Sequence, residues 1–586
     1  MTDEYLSSQQ LNALAPAIRL IEAGPGSGKT RAVVERYRQV ASQPGQFASL
    51  VSFTNSAVNE VRKRCASQPH LLQHPNFVGT FDAFFHRFVT TPSFLRTEGK
   101  QLRYVASWDD LPDHWSRLRP PKGGTGFPLT AFEPRPDGRF QIVEKRLSRL
   151  ERAMWTSLPA FTRNNLAAEA ATRNAHLASA GIMSAESARS YALGILHTAE
   201  GTRILERLHR RFSELIVDEF QDCNETEIQL LELLQEKGLA IVAVADPDQA
   251  IYNFRQVAAG DIYRKFRDTV PESAIAPLNE CHRSTQSICD VVTSLRSISP
   301  DPVVASPTAP AGSPHVYVFK GKRNEIMARA NTVLQTHGIS PQDARVLAHG
   351  STDARQLLHH QSALTGNSSA RRVLHAILEL RGRGTATHRL SALNALGRVF
   401  LSAIEQPGIP QTSTMDETLA ILGIEAATLR LLSKRLVTTS QQWQNPDDYA
   451  TSLSAVISEG FAEFGLNPKS QLKVVFPKPK PDLWAHWTNQ VDGLSTDTSF
   501  GWQWSNIHQV KGGEFDAILM SIPSKARGDN PHALDDWETN TNSEQRRVLY
   551  VGASRAQRVL MFWPEGQRYA QLVRILKRDG IPYLVV

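Results

Sequence analysis

The stretch Ile21-Glu22-Ala23-Gly24-Pro25-Gly26-Ser27-Gly28-Lys29-Thr30 decides how the rest of the chain is read. An apolar run, Ala17 to Ile21, precedes it, and a helical pattern with Val33, Val34 and Tyr37 follows. Strand, glycine-rich turn and helix start form the context in which a loop wraps phosphates. Glycines let backbone N–H groups turn inward, and the helix N-terminus adds favourable partial charge. Gly24, Gly26, Ser27 and Gly28 are then the turn, Lys29 reaches the β- and γ-phosphates, and Thr30 offers its hydroxyl to Mg2+. Ala23 stands where the strict pattern has glycine.

With 586 residues the chain exceeds one core, and roughly three or four domains are expected. No apolar run approaches the roughly 18 residues of a membrane span, so no membrane association is expected. Met1-Thr2-Asp3-Glu4 does not open a secretory signal. Cys65, Cys223, Cys281 and Cys289 are too few and too scattered for a disulfide framework or a zinc site, which fits a reduced, cytoplasmic protein. The formal charge of +7 is compatible with a polyanionic partner without requiring one.

Downstream, strand-like runs alternate with helical patterns. Ala48 to Asn55 leads into a helix with Val58 and Val61, and Phe77-Val78-Gly79-Thr80 precedes the aromatic cluster Phe81 to Phe88. This alternation predicts an α/β fold with parallel sheets. Glu214 to Glu219 is an apolar run ending in two carboxylates, suited to a second half of a nucleoside-triphosphate site. Asp218 would bind the metal and Glu219 would orient and deprotonate the attacking water. A further strand, Leu239 to Ala245, ends at Asp246-Pro247-Asp248-Gln249, where the Gln249 amide could touch both the γ-phosphate and the water. Later blocks are Leu278 to Thr285, Ser505 to Asp516 and Glu544 to Ala556.

This ordered set resembles the superfamily 1 helicases of the UvrD/Rep type, from Gln10 to the C-terminus. The resemblance implies two RecA-like P-loop domains, each carrying a mostly helical insertion. By position, residues 1–92 and 206–296 would form the first, ATP-binding domain around an insertion at 93–205. Residues 297–352 and 491–586 would form the second around a helical insertion at 353–490, which ends near a stiff Pro477 to Pro481 spacer. It further implies that Gln10 reads adenine, His282 stacks on it in place of the usual tyrosine, and Gln249 senses the γ-phosphate. Arg283 and Arg555 would donate to the transferring phosphoryl group, and Gly512 and Glu514 would approach the nucleotide, the latter at its ribose. Thr54, Asn55, Thr80, Phe81, Tyr252, Phe254 and His508 would line a single-strand path, with Phe254 where tryptophan is usual. Asp82 stands where histidine is usual, and Gln256 where glycine is common.

The implied activity is ATP- and Mg2+-dependent translocation 3′→5′ along single-stranded or tailed duplex DNA. The chain is compact for this family, and compact UvrD-like chains resemble the helicase subunit of Gabija-like antiphage systems. That reading would make it a DNA-sensing ATPase controlling a nuclease partner. A GTPase or small-molecule kinase would use one α/β core and leave Arg555 and the second unit without a role.

Overall fold

A computed structural model describes residues 6–111, 113–121, 126–134, 139–251, 261–299, 301–310, 315–349, 357, 369–382, 386–405, 415–470, 472, 476–496, 502–526 and 531–586. The chain divides into two compact units, Met1–His282 with Ile298–Pro307, and Arg283–Ser297 with Thr308–Val586. Each is built on a six-stranded sheet whose neighbours are all parallel, flanked by helices, which is the expected α/β class.

In the first unit, β1 (Leu20–Ala23), β2 (Ala48–Ser52), β3 (Phe77–Thr80), β4 (Glu214–Val217), β5 (Ala240–Ala245) and β6 (Ile275–Leu278) lie in the order β6-β1-β5-β4-β2-β3. Both faces are covered, so the strands are largely buried along their length while alternate residues serve different cores. Ile216, Val242 and Val244 join Ala32, Val33, Val34 and Tyr37 of α1 (Lys29–Ala41) and Val58 and Val61 of α2 (Asn55–Arg64). Leu215, Val217, Ile241 and Ala243 face the opposite side, with Phe84, Phe212 and Leu230.

One buried ion pair stitches this unit together. Arg36 of α1, 1% exposed, grips Glu214 of β4 through two bonds of 2.8 and 2.7 Å. Its remaining N–H groups donate to the carbonyls of Ala13, Ala15 and Ile18, which fixes the chain just before β1.

Between β3 and β4 the chain leaves the sheet and builds a body of short strand pairs around the helices Arg149–Ser157 and Ala160–Ser179. Trp108, Phe127, Phe132, Trp155 and Leu166 give it an apolar cluster of its own. The helices Ala185–Leu196 and Ala199–Arg211, counted with the insertion up to residue 205 on sequence, instead present Ala192, Leu196, Ile204, Leu205 and Leu208 to the sheet.

The second unit orders β7 (Val316–Val318), β8 (Ala344–Ala348), β9 (Gln503–Asn506), β10 (Phe515–Ile522), β11 (Ala556–Pro564) and β12 (Leu584–Val585) as β9-β8-β10-β11-β7-β12. Helix α3 (Gln286–Leu295) belongs to this unit, whereas the sequence reading carried the first domain to residue 296. The reason is local. Arg546 of α4 (Glu544–Ala553), 2% exposed, donates to the carbonyls of Ser294, Leu295 and Arg296, closing the end of α3 where helix carbonyls lack partners. Between Ser369 and Thr496 six helices among the described residues form a body around Leu374, Phe400, Leu436, Trp443, Phe461 and Trp487. Pro481, read on sequence as the end of a spacer, is the first residue of the helix Pro481–Thr496, a position where its missing N–H costs nothing.

Candidate active site

The parallel register of the first sheet brings its carboxyl ends to one edge: Ala23 lies beside Leu278, Glu22 beside Ala245, and Val217 beside Val51 and Ala243. That edge is where open α/β sheets bind ligands. The glycine-rich turn leaves β1 there, tied back by a 2.7 Å bond from Gly24 N–H to the Leu278 carbonyl. Gly26 and Gly28 adopt left-handed backbone, at φ 69° and 74°. Gly28 caps α1 without a side chain, leaving the first N–H groups of that helix to a ligand.

Gln10, 2% exposed, sits directly over this turn. Its Nε2 donates to the Ser27 carbonyl at 3.0 Å, and its Oε1 accepts from Ser7 N–H at 3.1 Å. A Cβ on Gly28 would lie 2.2 Å from that Nε2, so glycine is required here both by backbone and by space. His282 N–H donates to the Gly26 carbonyl at 2.9 Å, which brings the other expected adenine neighbour to the same turn. Gln9, a residue the sequence reading passed over, fastens the far side: its Oε1 accepts from the N–H groups of Asn279 and Glu280 at 2.8 and 3.2 Å.

Lys29 binds the Glu219 carboxylate and lies 3.6 Å from Asp218. Burial works against its charge, yet the carboxylates of Glu219 and Asp218 outweigh it and hold the ammonium above its ordinary range. Burial pushes the Asp218 carboxyl upward, opposed by Lys29 and assisted by Glu219. Glu219 is held in left-handed backbone at φ 57°, which only Asn540 shares among the described non-glycine residues. Such a conformation costs about 1–2 kcal/mol and turns the carboxylate off the strand axis toward Lys29.

Two polar side chains whose roles the sequence did not disclose complete the array. Gln221 donates to Glu219 at 2.6 Å and accepts from Asp246 N–H at 3.1 Å. Asp246 in turn accepts from Gln249 Nε2 at 2.7 Å. A continuous polar chain therefore runs from Lys29 through Glu219, Gln221 and Asp246 to Gln249. Asp246 directly follows β5 and Gln221 lies two residues past Glu219, beside residues already singled out, and that adjacency was the available signal. Thr30 is the second residue of α1. The buried Asp218 carboxylate and the Thr30 hydroxyl are oxygen donors of the kind that suits Mg2+, which takes one or two carboxylates and keeps waters.

In the second unit, Arg283 is paired with Glu514 and donates to the Ser554 carbonyl at 3.1 Å. Gln557 holds the other Glu514 oxygen at 3.1 Å. Arg555, 2% exposed, folds back on the Val551 carbonyl and Ser554 Oγ at 3.1 and 3.0 Å. Gly512 turns through left-handed backbone at φ 86°. Arg283, Gly512, Glu514 and Arg555 thus form one cluster, and Gln10, the glycine turn, Lys29, Asp218, Glu219, Gln249 and His282 another.

The expected single-strand contacts fare unequally. Thr54 and Asn55 are exposed at the end of β2, where Thr54 Oγ1 caps α2. Thr80 caps the short helix Phe81–Phe85. Phe81 is 2% exposed, stacked on Phe53 with centroids 5.3 Å apart and packed on Phe85 at 4.9 Å. Its ring faces are spent in the core, so it presents none to a base. Tyr252, Phe254 and Gln256 lie outside the described residues. His508 stands edge-on to His349 at 5.7 Å, and burial first, Lys511 second, lowers its basicity. Asp82 binds Arg189 at 2.6 Å.

Comparison with known proteins agrees with this geometry. Residues 6–271 match the profile of the UvrD/REP helicase N-terminal domain. The chain is 25% identical to DNA helicase II of Escherichia coli (strain K12) over 50% of its own length and 40% of that protein's. It is 24% identical to the ATP-dependent DNA helicase PcrA of Leuconostoc citreum over the same shares, so it spans well under half of these relatives. A putative ATP-dependent DNA helicase, YjcD of Bacillus subtilis (strain 168), is 24% identical over 95% of this chain and 78% of its own. Among the described residues no helix is long and apolar enough to cross a membrane. The likeness is thus to the N-terminal domain of UvrD/REP helicases over residues 6–271, and to one putative helicase over nearly the whole chain.

Proposed function

We propose that the chain hydrolyses ATP and uses the energy to move 3′→5′ along single-stranded or tailed duplex DNA. The observation that carries this reading is Lys29 at the glycine turn, held against Asp218 and Glu219 at the carboxyl edge of a parallel sheet. On this reading Lys29 leaves the carboxylates for the β- and γ-phosphates when ATP enters. Glu219, freed of the ammonium and steadied by Gln221, takes the proton of the attacking water, and Gln249 orients that water. Bound Mg2+, held by Thr30 and Asp218, would offset charge on the phosphate oxygens. Arg283 and Arg555 would supply donors to the transferring phosphoryl group. The domain limits set out from the sequence and the contacts of Thr54, Asn55, Thr80 and His508 with DNA are part of the same proposal. Phe254 and Tyr252 would supply base stacking.

The test is ATP turnover by the purified chain with and without single-stranded DNA, Glu219→Gln serving as blank. Strong stimulation by DNA, and unwinding of 3′- but not 5′-tailed duplexes, is the expected result. Turnover indifferent to the blank substitution would end the reading.

A second reading draws on the resemblance of compact UvrD-like chains to the helicase subunit of antiphage systems. It is a DNA-sensing ATPase that governs a nuclease partner in Gabija-like antiphage defence. A low rate that DNA alone does not raise, with ATP still bound, would select it.

A further inference from the structure

Beside Thr80, and wholly within the first unit, a cleft of about 450 Å³ opens between the end of β3 and the inserted segment. That volume is in the range of small-molecule sites, roughly 300–1,000 Å³. Of its lining residues only Thr80 has been given a role above. One wall is aromatic: the rings of His86 and Tyr104 stack at 3.5 Å with an 11° interplanar angle. His86 Nε2 is buried and has no hydrogen-bond partner in the protein. The imidazole basicity falls to about 4, because burial outweighs the pull of Asp82 and Arg189 opposes it, so at neutral pH this ring is uncharged.

The charges lining the cleft argue against a phosphate. Among its described lining residues the cation is Arg189, and it is already engaged by Asp82 at 2.6 Å and Glu227 at 3.5 Å. The two lining carboxylates are paired as well, Asp82 with Arg189 and Glu186 with Arg146 at 3.1 Å, so the described lining presents balanced ion pairs rather than net charge. A ligand matched to these walls is planar, neutral and edged with donors and acceptors. Its flat face meets the aromatic wall and its polar edge meets the Asp82 carboxylate and the hydroxyls of Ser107 and Thr130.

We propose that this cleft receives one unstacked nucleobase of the bound strand. The inference rests on the DNA-translocase reading above. Thr80 among the lining residues brings the expected strand path to the cleft, and Ser184, whose hydroxyl caps the helix Ala185–Leu196, also lines it.

The test uses the whole chain without ATP and a 3′-tailed duplex, whose junction fixes the register. A single abasic sugar is walked along an oligothymidylate tail, and affinity is measured at each position. Stacking of about 1–3 kcal/mol per base predicts one position where the abasic sugar weakens binding about 5–150-fold. Ala106→Trp, at an exposed position on the rim, fills the opening, and His86→Ala removes the wall. Either variant should erase the penalty at that position and leave the others as they were. A uniform profile in the unsubstituted chain, or a penalty that persists in both variants, overturns the cleft assignment. Absence of DNA binding altogether overturns the translocase reading beneath it.

Discussion

Placing a methyl group on Gly28 tests the packing over the glycine turn. The residue sits at φ 74°, where an L side chain costs about 1–2 kcal/mol. The new Cβ would stand 2.2 Å from Gln10 Nε2, so the amide must move and lose its bond to the Ser27 carbonyl. Leaving a buried donor or acceptor unpaired costs about 1–3 kcal/mol. Gly28→Ala should therefore cost about 2–5 kcal/mol of stability in the first unit. With Gln10→Ala already present the amide is gone, and alanine at 28 should cost only the backbone strain. Urea unfolding of the parent, both single variants and the double variant closes the cycle. The sum of the single costs should exceed that of the double by about 1–3 kcal/mol. Costs that add within about 0.5 kcal/mol would refute the clash.

Lys29→Ala should abolish ATP turnover, and a rate equal to the parent's would remove it from the site. Glu219→Gln should retain nucleotide in a binding assay while turnover stops; loss of binding would contradict its role as base. Glu214→Gln leaves the Arg36 guanidinium buried without its counter-charge and should cost about 3–5 kcal/mol on urea unfolding, a cost under 1 kcal/mol sinking the argument. Stability should also fall as pH drops from about 6.5 toward 4, since the folded state keeps the His86 imidazole unprotonated while the unfolded chain takes up a proton. His86→Phe should flatten that slope in unfolding midpoints measured across this range, and an unchanged slope would remove His86 as its cause.

The α/β class and the nucleotide turn were legible because they are local. A glycine turn between strand and helix, and carboxylates closing an apolar strand, are written in adjacent residues. The burial of Phe81 was not legible, because an aromatic beside Thr80 looks the same whether it faces water or Phe53, and only the fold brings that partner in from the end of β2. Likewise, α3 joins the second unit because Arg546 closes its last turn, and no spacing announces a contact spanning 251 positions. Gln221 and Asp246 stand in plain view beside named residues, yet their role depends on β4 and β5 lying side by side.

Strand β1 carries the phosphate loop, yet its sheet neighbours are β5 and β6, whose paired residues begin about 220 positions later in the chain. At about 5–20 residues per second, a ribosome needs roughly 10–50 s to deliver them. During synthesis Leu20 and Ile21 therefore wait without their ladder while the insertion between β3 and β4 can already gather its own apolar cluster. The element that defines the nucleotide site is among the first made and the last installed, which leaves the newborn chain with an unpaired apolar strand for chaperones to shield.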